Sequence, residues 1–168
     1  MFFSFGMIAM HIHIAAKQNF ETTIEKAWDL STDLSQFSSF FPGYLLIPAV
    51  KDIELLYQEP HVGGKRLVHN ADGTTLEEEI LIFAPYEKHS YSLYGFVFPF
   101  SWLVSLGKGT WTYEKKADQT LVTWKYDFTV RSLLLAPLTH ILLHLFMQKA
   151  MAQCLRNMAR SFHEANVD

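Results

Sequence analysis

The sequence predicts an α+β fold in which a curved, seven-stranded antiparallel sheet packs against one long C-terminal helix. Three observations predict it. The end of the chain has helical periodicity, the strand pattern before it alternates strictly between apolar and polar residues, and turn signals separate further strand patterns. A sheet with one dry face needs a cover, and only the terminal helix is long enough to provide it.

The N-terminal part predicts one strand followed by two short helices. Residues 11–14 alternate between polar and apolar side chains, as a half-buried strand does, and predict a strand that runs to about Asn19. Thr22 and Glu25 form a capping-box pattern that predicts a helix over about 23–30. Asp33 repeats this signal and predicts a second short helix.

Six further strands are predicted after these helices. They include Ile53, Leu55 and Tyr57 in alternation, then residues 65–70, 74–84, 89–97, 108–116 and 120–131. Asp72-Gly73 is typical of a tight hairpin. In the last strand one face is entirely apolar and consists of Val122, Trp124, Tyr126, Phe128 and Val130.

A long helix from Pro137 to about Glu164 closes the chain. A helical wheel predicts that one face carries His140, His144, Met147, Met151, Leu155, Met158 and Phe162. The opposite face carries Lys149, Gln153, Arg156, Arg160 and Glu164. Because methionine fills adaptable space, the first face is interpreted as the wall of a pocket for an apolar ligand.

Length and composition predict a single domain, residues 1–168, with its core at about 11–164. Residues 1–9 lack the charged start of a signal peptide and are interpreted as a tail or a non-native start. The apolar stretch 133–147 is shorter than the roughly 20 residues of a membrane-spanning helix, so no membrane-spanning helix is predicted.

A net charge of −3 without a basic run excludes nucleic acid as a predicted partner. Cys154, the only cysteine, allows no internal disulfide and suits a cytoplasmic location.

Several short motifs occur in a familiar order. They are TIEKAWDL at 23–30, TDL at 32–34, FP at 41–42, GGKR at 63–66, DG at 72–73, EEI at 78–80, Pro85, Tyr91 and TLVTW at 120–124. Together they resemble the START-related, Bet v 1-like superfamily (SRPBCC), most closely its polyketide cyclase/dehydrase and lipid-transport branch. The resemblance covers about 12–162 and implies a helix-grip fold with an internal ligand cavity. It implies no particular reaction, because members bind lipids, hormones, quinones or polyketides and only some are enzymes.

His140 and His144 lie one helical turn apart, which suits a shared metal ion. Ile141 stands where the HExxH motif has its glutamate, and no third ligand is evident, so neither a metal nor a cofactor is predicted. Two interpretations stay open for the pair. The imidazoles either hydrogen-bond or exchange a proton with a ligand, or they pack under loops and bond to backbone carbonyls.

Glu78 is the candidate acid or base of the predicted sheet. If Leu76, Ile80 and Ile82 face the helix, Glu78 lies inside the cavity, where it could act as a general acid or base. With the opposite parity, Glu78 is a solvated charge at the rim. The resemblance favours the position in the cavity.

Aromatic residues supply the other candidates. Tyr91 and the group Trp28, Trp111, Tyr113, Trp124 and Tyr126 line either a pocket or an ordinary core. A second set recurs at every other position and consists of Phe96, Phe98, Phe100 and Trp102. In a strand these side chains would line the core, whereas in a loop they would form a lip that gates the cavity or touches a membrane.

The start of the terminal helix has apolar residues outside the predicted inner face, namely Leu138, Leu142, Leu143 and Phe146. A neighbouring loop, a second copy in a homodimer, or a lipid bilayer would cover them. The loop and the homodimer are favoured over peripheral membrane contact, because no cationic cluster accompanies these residues.

The leading functional prediction is a protein that binds a hydrophobic small molecule, such as a lipid, an isoprenoid or an aromatic polyketide. The predicted ligand contacts are Glu78, Tyr91, Trp111, Tyr113, Trp124, Tyr126, His140, His144, Met147, Met151 and Leu155. A cyclase- or dehydratase-like enzyme is the alternative, with Glu78, His140 and His144 as catalytic candidates. A protein-interaction module is the second alternative.

Overall fold

The computed structural model describes residues 10–164 and contains a seven-stranded antiparallel sheet. The strands are β1 (His11–Phe20), β2 (Val50–Leu55), β3 (Lys65–Asn70), β4 (Thr75–Ala84), β5 (Lys88–Tyr94), β6 (Val104–Lys116) and β7 (Gln119–Val130). Their order across the sheet is β1-β7-β6-β5-β4-β3-β2, so the first strand lies beside the last.

The helices occur at three points of the chain. They are α1 (Ile24–Thr32) and α2 (Leu34–Phe40) after β1, α3 (Phe100–Leu103) before β6, and α4 (Ala136–Leu142) and α5 (Gln148–Glu164) after β7. A π-helical turn, Leu143–Met147, joins α4 to α5 in one terminal helix. The helix-grip fold implied by the sequence resemblance is therefore confirmed.

Local signals explain the two short helices. The Thr23 hydroxyl accepts a hydrogen bond from the Lys26 amide at 3.4 Å and caps α1. An Asp33 carboxylate oxygen accepts one from the Ser35 amide at 3.1 Å and caps α2. Both caps satisfy amides that would otherwise lack a partner at a helix start.

The inner face of the sheet follows the predicted alternation along β7. All five predicted core residues of this strand are at most 8% exposed. β5 ends at Tyr94, earlier than predicted, because Gly95 adopts a positive φ of 84° and the chain leaves the sheet there. β6 begins at Val104, so the predicted strand 108–116 is only its later part.

A β-bulge decides which side chains of β4 face inward. The register with β5 shifts between Ile80 and Ile82. Before the bulge Glu78 and Ile80 are buried, and after it Phe83 faces inward and packs against Trp28 at a centroid distance of 5.2 Å. A bulge reverses the alternation of side chains along a strand. The alternative with Glu78 facing inward therefore holds before the bulge, and the opposite alternative holds after it.

The terminal helix departs from the ideal wheel in its first half. Met151, Leu155 and Met158 are fully buried, as predicted. In α4, however, His140 is exposed, and Leu143 of the π-helical turn, predicted to lie outside the inner face, is 2% exposed. The π-helical turn explains this difference, because its extra residue per turn rotates α4 relative to α5.

The helical stretch Leu133–His163 spans 31 residues and is long and apolar enough to cross a membrane by length and composition. In its most apolar 18-residue window the mean hydropathy is 1.3, and 22% of that window is buried. The later part of this stretch packs in the core through Met151 and Leu155.

Candidate functional site

A cavity of about 150 Å³ lies between the inner face of the sheet, α2 and the start of the terminal helix. Phe37 of α2 and Leu143 and Met147 of the π-helical turn form the side opposite the sheet. An apolar cavity of about 150 Å³ stays dry and accepts a benzene-sized molecule, whereas drug-sized ligands occupy roughly 300–1,000 Å³. The volume therefore suits one small ring system.

A row of three stacked rings crosses the floor of the cavity. His89 on β5 is the cross-strand neighbour of Trp111 on β6, which is in turn the neighbour of Trp124 on β7. The His89 and Trp111 ring centroids lie 5.6 Å apart at an interplanar angle of 13°. The two indole rings lie 4.4 Å apart at 24°. Flat aromatic surfaces of this kind suit a planar ligand.

A second row begins with Tyr91 and ends with Tyr126. Gly109 lies between them on β6, and a Cβ at this position would meet the Tyr91 ring. The absence of a side chain lets the two tyrosines approach, and their hydroxyls form a hydrogen bond of 2.8 Å. Burial raises the pKa of both phenols well above the usual value, so both stay protonated.

One ion pair lies in this largely apolar cavity. Arg66 on β3 lies directly opposite Glu78 on β4, and its Nε donates to Glu78 Oε2 at 2.5 Å. Both residues are 7% exposed. Burial acts to lower the pKa of Arg66, but the Glu78 carboxylate outweighs it and holds that pKa above its usual range. The guanidinium also lies 4.9 Å from the centroid of the Tyr91 ring, within cation–π distance.

Two polar atoms of the first ring row have no hydrogen-bond partner. They are His89 Nε2 and Trp124 Nε1, and both residues line the cavity. Burial, with a smaller contribution from the Arg66 cation, lowers the pKa of His89 to about 3. The imidazole is therefore neutral at neutral pH, with one nitrogen able to donate and the other able to accept.

The cavity opens at the end of the sheet where β3, β5 and β7 end. Four of the residues that line it are exposed there: Leu46 before β2, Asp72 in the β3–β4 hairpin, and Val97 and Phe98 before α3. Phe96, Phe98 and Phe100 all line the cavity, and the chain between Gly95 and Pro99 is a loop. The loop alternative is therefore observed for Phe96 and Phe98, which form a lip at the mouth, whereas Phe100 and Trp102 lie in α3.

Comparison of this sequence with protein families supports the same fold. A family described as "Polyketide cyclase / dehydrase and lipid transport" matches residues 11–163. The chain belongs to this polyketide cyclase/dehydrase and lipid transport family. No curated protein matches it closely enough to add to this assignment.

Solved structures share the helix-grip fold of this family member at low sequence identity. Ara h 8.0201 is 13% identical, with a TM-score of 0.69 over 92% of this chain and 99% of its own. The Zhui aromatase/cyclase from Streptomyces is 13% identical, with a TM-score of 0.71 over 92% and 94%. A major latex-like protein from Panax ginseng is 13% identical, with a TM-score of 0.67 over 90% and 97%. At this identity the likeness shows the fold alone.

Six of the predicted ligand contacts of this family member line the cavity. They are Glu78, Tyr91, Trp111, Trp124, Tyr126 and Met147. Tyr113 is a core residue instead, and its hydroxyl pairs with Ser31 Oγ at 2.5 Å. Met151 and Leu155 are fully buried without lining the cavity, because α5 packs tightly on β1.

The placement predicted for the two histidines in the cavity is wrong. His140 is exposed, and neither residue lines the cavity. His144 Nδ1 lies 2.9 Å from the His140 carbonyl oxygen, and the two rings are 4.0 Å apart. His144 thus bonds to a backbone carbonyl, which was the alternative interpretation of the pair.

Among the residues of this site that sequence reasoning missed, Arg66 and His89 carry the most chemistry. The β3–β4 hairpin was the signal that could have located Arg66. In the structure the Asn70 amide donates to the Thr74 carbonyl, and this pair closes a loop of three residues. Counting outward from that pair places Arg66 opposite Glu78. His89 had no comparable signal, since its place in the cavity depends on how β5 pairs with β6 and stacks its ring on Trp111.

Proposed function

We propose that this member of the family binds a small, neutral, mainly aromatic molecule in the cavity between the sheet and the terminal helix. The observation that supports it is a ring-lined cavity of about 150 Å³ that contains polar atoms without partners. Apolar area removed from water supplies most of the affinity, at about 25 cal/mol per Å² before the costs of association.

The unpartnered atoms favour a ligand that carries a hydroxyl group. Trp124 Nε1 can only donate, so it needs an acceptor. His89 Nε2 donates in one tautomer and accepts in the other. A hydroxyl oxygen can both accept and donate, so a hydroxylated ring satisfies either atom in either state. Each unmade bond of a buried group costs about 1–3 kcal/mol, which the ligand would recover.

The charge balance of the cavity favours a neutral ligand over a carboxylate. Arg66 is the cation that lines the cavity, and the Glu78 carboxylate already contacts it. A carboxylate ligand would have to compete with Glu78 for the guanidinium and leave one anion unpaired. A phenol or a similar neutral hydroxyl compound has no such cost.

Paired ligands test this proposal. Naphthalene and 2-naphthol differ by one hydroxyl, and isothermal titration calorimetry compares their dissociation constants. We expect 2-naphthol to bind roughly fivefold more tightly, because one additional hydrogen bond contributes a net free energy of about 1 kcal/mol. Trp124→Phe keeps a ring but removes the N–H, so it should reduce this preference.

Trp28→Phe provides the matched control, because Trp28 is buried but does not line the cavity. It should keep the preference for 2-naphthol. Failure of both compounds to bind the wild-type protein would contradict the proposed function. Equal binding of both compounds would leave the binding of a ring intact and contradict only the role of the hydroxyl.

An enzyme of the cyclase or dehydratase kind is the second candidate, and the carboxylate of Glu78 in the cavity favours it. His89 is a poor base because its pKa is about 3, so Glu78 would have to move the proton. Incubation with a linear poly-β-ketone thioester, followed by mass spectrometry, would detect the loss of water. Glu78→Gln should abolish this loss and leave 2-naphthol binding measurable.

Homodimer formation and a cytoplasmic location stay predictions. A protein-interaction role also stays a prediction, and it would use the exposed start of the terminal helix.

A further inference from the structure

Most of the large exposed apolar side chains among residues 10–164 lie at the end of the molecule where the cavity opens. We call this set the apolar rim. It consists of Leu45, Leu46, Val97, Phe98, Trp102, Leu133, Leu134, Leu138 and Ile141. Leu134 is 92% exposed, Leu45 77% and Phe98 69%. Exposed apolar patches of this kind mark interaction surfaces.

The rim comes from three separate segments that meet at one edge of the sheet. The Arg131 amide donates to the Leu103 carbonyl, which places the start of the terminal helix beside α3. Phe98 and Trp102 pack edge to face at 5.2 Å. Leu46 and Phe98 both line the mouth of the cavity, so the third segment faces the other two across it.

The same three segments are almost free of charge. Residues 41–50 and 95–107 contain no Asp, Glu, Lys or Arg. Residues 132–148 contain none either, and Arg131 precedes them directly. The whole chain has 18% charged residues, so this depletion is local. Outside these segments, the exposed Asp72 in the β3–β4 hairpin also lines the cavity.

We propose that the apolar rim docks on the surface of a lipid bilayer and brings the mouth of the cavity against the acyl chains. Leu, Phe and Trp side chains at turns and at a helix start are those that enter the region between headgroups and acyl chains. The absence of carboxylates from the three segments removes repulsion by anionic headgroups, and Arg131 adds one attractive charge. An apolar ligand could then pass between membrane and cavity without crossing water.

The shape of the rim favours a bilayer over a second copy of the chain. Its most exposed side chains, Leu134, Leu45 and Phe98, lie in three separate segments around the mouth of the cavity. A rim interrupted by an opening offers a second copy no continuous surface, whereas stable protein interfaces need close packing over a continuous patch. Lipid is deformable and fills the space between the segments.

Vesicle flotation tests the proposal with the full chain. The probes are vesicles of phosphatidylcholine alone and vesicles that also contain phosphatidylglycerol. We expect the wild-type protein to bind both and to bind the anionic vesicles more tightly. Leu134→Glu should weaken partitioning by about tenfold, and Leu134→Glu with Ile141→Glu by more, because a buried apolar contact becomes a charge in the membrane interface.

Val62→Glu is the matched control, since Val62 is 66% exposed and lies at the opposite end of β3. It should leave vesicle binding unchanged. Leu134, Ile141 and Val62 do not line the cavity, so all variants should keep the wild-type affinity for 2-naphthol. This readout also separates loss of docking from loss of folding.

Two results would overturn the proposal. One is the absence of binding to either vesicle type. The apolar rim would then be covered by something other than lipid, such as residues 1–9 or a second copy of the chain. Light scattering that shows a dimer dissociated by Leu134→Glu would identify the second copy. The other is unchanged vesicle binding by the double variant, which would place the membrane contact elsewhere.

Discussion

The Arg66 guanidinium contacts the Glu78 carboxylate inside a cavity that is otherwise mainly apolar. The two residues lie directly opposite each other on β3 and β4. Taking both charges out of water is costly, and their mutual attraction offsets that cost only while both are present. The pair therefore acts as one neutral unit, which can orient a polar ligand group without giving the cavity a net charge.

Replacing one member of the pair should destabilise the fold more than replacing both. We expect Glu78→Leu and Arg66→Met each to lower the free energy of unfolding by about 3 kcal/mol, because each leaves a buried unpaired charge. The double variant should lose less than either single variant. Urea unfolding of all four proteins measures the coupling, and strictly additive losses would contradict it.

His89 should make stability depend on pH. The ordinary pKa of histidine is 6.5, and burial lowers that of folded His89 to about 3. Between these values the unfolded chain binds a proton that the native protein does not. The free energy of unfolding should therefore fall as the pH falls below 6.5, at up to about 1.4 kcal/mol per pH unit.

His89→Phe isolates this effect, because it keeps a ring on Trp111 and removes the titrating group. Urea unfolding measures the free energy of unfolding at pH 7 and pH 5. We expect its decrease between the two pH values to be about 2 kcal/mol smaller in the variant than in the wild-type protein. His61→Phe changes an exposed histidine and should behave as the wild-type protein. An identical pH dependence of His89→Phe and wild type would mean that folding does not change the pKa of His89.

Much of the fold follows from local pattern. The strict alternation of β7 identified its buried face because each side chain there obeys the period of a strand. Thr22 and Asp33 marked the two short helices because caps are local interactions, although the residue that caps α1 in the structure is Thr23. Glu78 was placed in the cavity by the resemblance, since the residues of β4 alone fit both parities.

The errors come from irregular backbone that alternation and helical wheels do not contain. The π-helical turn Leu143–Met147 rotates α4 and turns His140 outward. The bulge near Ile82 reverses the parity of β4. His89 was missed for a different reason: its burial and its unpartnered nitrogen arise from packing against side chains of other strands, such as Trp111 on β6.

Cys154 should resist thiol reagents in the native protein. Its side chain is fully buried, and burial raises the pKa of the thiol well above the usual value. The reactive thiolate is therefore scarce and inaccessible at neutral pH. A colorimetric disulfide reagent should label Cys154 only after denaturant is added. Rapid labelling without denaturant would show that α5 opens readily from the sheet.

Gly109 should be the glycine of β6 that tolerates a side chain least. A Cβ there would lie 2.6 Å from Tyr91 Cε2 and 2.7 Å from its hydroxyl oxygen, closer than real Cβ contacts. Tyr91 cannot easily move away, because its hydroxyl is bonded to Tyr126 and its ring contacts Arg66. We expect Gly109→Ala to lower the free energy of unfolding by about 2–3 kcal/mol, as overpacking of a core does.

Gly107→Ala provides a graded comparison on the same strand. Its Cβ would meet Phe128 Cε1 at 3.0 Å, and a shift of a few tenths of an ångström in that ring would relieve the contact. Its loss of stability should therefore be smaller than that of Gly109→Ala. Because the displaced Tyr91 ring lines the cavity, Gly109→Ala should also weaken 2-naphthol binding. Equal losses of stability in the two variants would show that Tyr91 is not held in place by its neighbours.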